Sequence, residues 1–126
     1  MLLVAIIGPF RANTAWEIEQ NCRQAELVAL EVWRAGAVAL CPHLNTRHFH
    51  GMLPDQVWLD GYVSVLRRCD AAVLVPGWEH SAGSLVEKAE AERLGMPVFR
   101  DVPDLREWIE WMEDHSHGGK VDASHQ

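Results

Sequence analysis

Ala71-Ala72-Val73-Leu74-Val75 and, a few residues on, Ser81-Ala82-Gly83-Ser84-Leu85-Val86-Glu87 read as a buried strand, a Gly/Ser turn and the opening of a helix. An apolar run without polar alternation suits a strand covered on both faces, the habit of parallel sheets. The turn that follows offers backbone N–H groups at the positive end of a helix, a seat for a phosphate or another anion. Glu87 then stands about one turn into the helix, where its carboxylate meets whatever that anion is attached to. The same letters also fit a purely structural role. Ser84 and Glu87 have the spacing of a capping box, in which serine and glutamate satisfy each other's backbone donors.

Outward from this stretch, strand and helix signals alternate. Residues 2–7 form a continuous apolar first strand. Thr14-Ala15-Trp16-Glu17 is a capping box, after which Ile18, Cys22, Ala25, Ala29, Val32 and Trp33 recur at helical spacing. Gly36 ends that helix at C′. Residues 37–41 make a short second strand stopped by Pro42, and residues 45–54 a polar loop. Leu59, Tyr62, Val63 and Leu66 mark a second helix with Asp55 as its cap. Residues 70–75 are the third strand and residues 81–94 the third helix, closed by Gly95. Residues 97–99 form a short fourth strand. Leu105, Trp108, Ile109 and Met112 define a last helix with Pro103 in its first turn. The order predicts an α/β fold: one doubly wound, Rossmann/flavodoxin-like parallel sheet of four to five strands, with helices on both faces. The domain spans residues 1–114, and residues 115–126, which lack apolar periodicity, are expected to form a flexible tail.

The bulk numbers narrow the function. A chain of 126 residues buries a core without disulfides or metal. No segment has the roughly 18 to 20 apolar residues of a membrane span, and residues 1–7 lack the basic leader of a signal peptide. Three cysteines without a CxxC pair point to reduced thiols and a cytoplasmic protein. A net charge of −7 argues against a nucleic-acid polymer as partner, since nothing neutralises many phosphates at once. It leaves room for one small phosphorylated ligand. His43, His48 and His50 crowd one loop, yet no third ligand stands at metal-site spacing, so neither metal nor cofactor is expected. Residues 8–11 are neither GxGxxG nor a P-loop.

In a doubly wound sheet, ligands sit beyond the carboxyl ends of the strands. That rule gathers residues 8–13, 42–46 and 76–83, and with them the unusual residues of the chain. Taken together, Ile7-Gly8-Pro9-Phe10-Arg11, Cys41-Pro42-His43-Leu44-Asn45-Thr46, Cys69-Asp70-Ala71, Ser81-x-Gly83-x3-Glu87 and Gly95-Met96-Pro97-Val98 resemble the nucleoside 2-deoxyribosyltransferase superfamily, over about residues 4–99. The resemblance is to its small bacterial and phage members. It implies that Glu87 is the catalytic nucleophile at the anomeric carbon of a sugar. It also implies that Asp60, from the preceding helix, orients that nucleophile or helps protonate the leaving base; Asp55 competes for this role but suits a helix cap better. Ser81 stands where the transferases carry an acid, and so resembles the branch that hydrolyses nucleoside 5′-monophosphates, where the serine helps hold the phosphate. Arg11 matches that branch's first-loop phosphate arginine, although Pro9 replaces the serine of its motif.

The activity implied is cleavage or transfer at the N-glycosidic bond of a nucleoside or nucleoside 5′-monophosphate, with no cofactor. Gly8, Phe10, Arg11, His43, Asn45, Trp78, Ser81, Gly83 and Ser84 are the expected substrate contacts. Trp78 either stacks on a base or covers the strand end. Trp33 and Trp108 are expected in the core, and Trp111, off the last helix's stripe, against another subunit. The resemblance also implies a homo-oligomer. The rival is a non-catalytic nucleotide sensor that keeps the anion-binding turn and uses Glu87 only as a cap.

Overall fold

The computed structural model describes residues 1–123, with side chains through residue 115. Four strands alternate with five helices: β1 (Leu3–Ile7), α1 (Ala15–Arg34), β2 (Val38–Leu40), α2 (Pro42–Asn45), α3 (Asp55–Leu66), β3 (Ala71–Leu74), α4 (Ala82–Arg93), β4 (Val98–Phe99) and α5 (Val102–Ala123). A single 3-10 turn, Trp78–His80, precedes α4. The strands form one all-parallel sheet in the order β2-β1-β3-β4. This is the doubly wound arrangement expected from the sequence, with four strands among the described residues. The chain winds one way from β1 to β2 and the other way from β3 to β4, so the switch point lies between β1 and β3.

Alternation along the strands divides the core in two. Val4 and Ile6 of β1, with Ala71, Val73 and Val75, pack against Ala25, Ala29 and Val32 of α1 and Leu105 and Ile109 of α5. Ala5, Ile7, Ala72 and Leu74 face the other way, toward Leu66 of α3 and Ala91 of α4. Both faces are covered, which is why these strands read as unbroken apolar runs.

The local signals account for most element ends. Thr14 caps α1: its Oγ1 accepts the Glu17 N–H at 3.1 Å and donates to the Glu17 carboxylate at 2.9 Å. Gly36, just past that helix, has φ +95°, a conformation that disfavours residues with a Cβ. Asp101 caps α5 by accepting the Asp104 N–H at 2.9 Å.

Other expectations need correcting. Asp55 does not cap α3, because Pro54 holds that position and Asp55 is the first helical residue. Residues 42–45 are a short helix with Pro42 at its start. Trp33 is half exposed on α1, since the buried stripe runs through Cys22, Ala25, Ala29 and Val32. Trp108 does pack on the core, 5.6 Å from Phe99, and Trp111 is exposed, 3.9 Å from the His115 ring. The final helix runs to Ala123, into residues 115–126 where the flexible tail was expected. The rest of that tail, residues 124–126, lies outside the described residues.

Candidate functional site

A cleft of about 280 Å³ opens beyond the carboxyl ends of β1 and β3. Its volume suits one small ligand, at the lower edge of the roughly 300–1,000 Å³ typical of such sites. Three segments far apart in sequence wall it. The β1 loop brings Gly8, Phe10 and Arg11; the region after β2 brings His43, Thr46 and His50; the turn opening α4 brings Ser81, Gly83, Ser84 and Glu87. α3 closes the fourth side with Asp55, Trp58, Leu59 and Tyr62.

Glycine is required at position 8. A Cβ there would lie 2.5 Å from Val75 Cβ, so the bare backbone lets β1 and β3 run close together under the cleft. His43, 4% exposed, fixes the loop that follows. Its Nε2 lies 3.0 Å from the Gly8 carbonyl oxygen and 2.9 Å from that of Pro9. Two acceptors require a donor between them, so Nε2 carries the proton. The other ring nitrogen, Nδ1, faces Cys41 Sγ at 3.8 Å. Burial pushes the His43 pKa down, against the raising effect of the two carbonyls. His43 thus lines the cleft as a neutral strut whose N–H is already engaged by backbone. Phe10 lies edge-on to both His43 and His50, with ring centroids 6.1 and 5.7 Å apart.

The α4 turn decides between the two readings of its sequence. Ser81, not Ser84, is the cap: its Oγ accepts the Ser84 N–H at 3.2 Å. Glu87 therefore lies beyond the first turn, out of capping position, and faces the cleft. It makes no hydrogen bond or ion pair with the described residues, and burial raises its pKa to about 7. A carboxylate desolvated in a cleft and paired with no cation is a functional-site candidate. One turn back, the fully buried Ser84 has a hydroxyl with no hydrogen-bond partner. The Ala82 and Gly83 N–H groups, in the first turn, have no intrahelical acceptor.

Eight expected site residues meet at this cleft: Gly8, Phe10, Arg11, His43, Ser81, Gly83, Ser84 and Glu87. Three do not. Asp60 faces a separate groove between α3 and α4, where it accepts a hydrogen bond from Gln56 at 2.7 Å. Asn45 stands behind the wall, donating to Tyr62 Oη at 2.9 Å, while Tyr62 donates to Thr46 Oγ1 at 3.1 Å. Trp78 turns to the α3/α4 core, with Lys88 Nζ 5.2 Å from its ring centroid, and so covers the strand end instead of offering a stacking face. Sequence reasoning missed Thr46, His50, Trp58 and His80, and set Asp55 behind Asp60. Trp58 and Asp55 fall on the same helix as the expected Asp60, on the side that faces the cleft. Among the described residues no group of three potential metal ligands converges, and no helix is long and apolar enough to cross a membrane.

Comparison with curated proteins gives no match. A family model matches residues 16–100, which takes in most of the cleft wall, including α3 and α4 with Glu87, and leaves out the β1 loop. That span is more than half of the chain, and it assigns the protein to the family described as a domain of unknown function, DUF4406.

Proposed function

We propose that this protein cleaves or transfers at the N-glycosidic bond of a nucleoside or nucleoside 5′-monophosphate. Glu87 is the nucleophile. The observation that carries the reading is an unpartnered, largely desolvated carboxylate on a ligand-sized cleft beside a helix N-terminus. It stands at the position where the resemblance to nucleoside 2-deoxyribosyltransferases expects the catalytic glutamate.

The chemistry follows from the group. As the bond from the anomeric carbon to the base nitrogen lengthens, positive charge grows on the sugar, and an ionised carboxylate stabilises it. Glu87 Oε then bonds to the anomeric carbon while the base leaves with the bond's electron pair and gains a proton. Water, or a second base, attacks the glycosyl ester and releases Glu87. The nucleophile works only when ionised, and burial holds its pKa at about 7. kcat/KM is therefore expected to rise with pH through a midpoint near 7 in the free enzyme.

The test is base release from a panel of nucleosides and 5′-monophosphates, with and without an acceptor base, beside Glu87→Gln. Release that the variant loses by about 10³-fold or more supports a glutamate nucleophile. Release that survives the substitution removes Glu87 from the chemistry. Silence across the panel while nucleotides still raise the melting temperature selects the sensor reading.

A further inference from the structure

The cleft contains a charge arrangement that bears on which of the two substrate forms it takes. Arg11 is the only lysine or arginine among the described residues that line it. Its Nη1 lies 2.9 Å from Asp55 Oδ2, and Asp55 also lines the cleft. Arg47, just after α2, is absent from the lining and pairs with Glu19. Lys88 is bonded to Glu92. At the α4 turn the Ser84 N–H is taken by Ser81. The cleft thus presents one cation already matched by a carboxylate, with a second carboxylate, Glu87, farther in. A phosphomonoester brings a charge of about −1.5 to −2 at neutral pH. It would meet Arg11 only by displacing Asp55, which then remains as a like charge beside it.

We propose that Asp55 is a specificity-determining residue that selects an uncharged nucleoside over its 5′-monophosphate by occupying Arg11. The inference rests on the nucleoside reading of the cleft. Asp55 is held at the first position of α3, where the helix dipole favours its negative charge and where the rigid helix keeps it facing the β1 loop. The pair is half exposed, with side chains 58% and 45% accessible, so its own stability is small. Discrimination comes from what the pair does to an arriving dianion, since opposed like charges cost far more than an exposed ion pair gains.

The test compares the four 2′-deoxynucleosides with their 5′-monophosphates, by base release and by calorimetric binding to the Glu87→Gln protein. The unaltered specificity is expected to favour nucleosides by about tenfold or more, and Asp55→Asn to shift the ratio at least tenfold toward the monophosphates. Adding Arg11→Ala to Asp55→Asn should cancel that shift, because the gain depends on the freed guanidinium. Asp55→Ser serves as a second variant should the asparagine fold poorly. A binding ratio that behaves this way without any base release removes the glycosidase reading and leaves the specificity of Asp55 standing. Tighter binding of monophosphates before substitution, a ratio unmoved by Asp55→Asn, or no binding of either form overturns the proposal.

Discussion

Glu87 carries a stability signature that can be measured before any substrate is known. Its folded-state pKa is raised from 4.5 to about 7 by burial, so the fold prefers the protonated acid. Stability from this group is fully present below about pH 4.5 and is lost as pH rises through 7. Glu87→Gln removes the dependence. Urea denaturation should therefore find the variant close to the natural protein at pH 4.5 and about 2 to 3 kcal/mol more stable at pH 8. At Gly8 the expected sign is opposite at every pH. Gly8→Ala forces a methyl onto Val75 Cβ, 2.5 Å away, and should cost about 3 kcal/mol by shifting a strand that nothing else can accommodate. Base release should fall with it, since the β1 loop starts there.

At the scale of elements, the helix ends were legible and the helix rotations were not. Thr14, Gly36 and Pro103 each announce a boundary through backbone chemistry that needs no tertiary partner. The face of a helix that looks into a cleft depends on its packing. On α3, Asp55, Trp58 and Tyr62 line the cleft while Asp60, Val63 and Ser64 line the outer groove. Both sets are mixed in polarity, so periodicity does not separate them, and the reading chose Asp60 over Asp55. The α4 turn was ambiguous for another reason: two serines three apart each have a plausible cap geometry. The choice of Ser81 has a measurable consequence. Ser81→Ala should destabilise the protein by about 1 kcal/mol, while Ser84→Ala, which removes a buried hydroxyl without a partner, should be neutral or stabilising. Paired chemical denaturation curves for the two variants read this difference directly.

For the molecule as a whole, the two-faced core made the fold class readable. Unbroken apolar strands alternating with amphipathic helices admit few arrangements, and the right one follows from covering both faces. Ile109, fully buried on α5, shows that the last helix belongs to this core. Ile109→Ala is expected to cost about 2 to 5 kcal/mol, seen as a lower denaturation midpoint in a single transition. Less legible was how three distant loops share their hydrogen bonds, as His43 does with Gly8 and Pro9, because such contacts leave no periodic trace.

The same winding places every cleft-forming loop at the carboxyl ends of the strands and leaves the tight returns at Gly36 and Gly95 at the other end. Cleft wall and chain reversals are thereby physically separated, and the reversals become points where the chain can be recut or a second domain spliced in. An insertion at Gly95, where an added side chain atom meets nothing within 4 Å, extends the protein away from the ligand. One of equal length after Gly8 would break the wall itself.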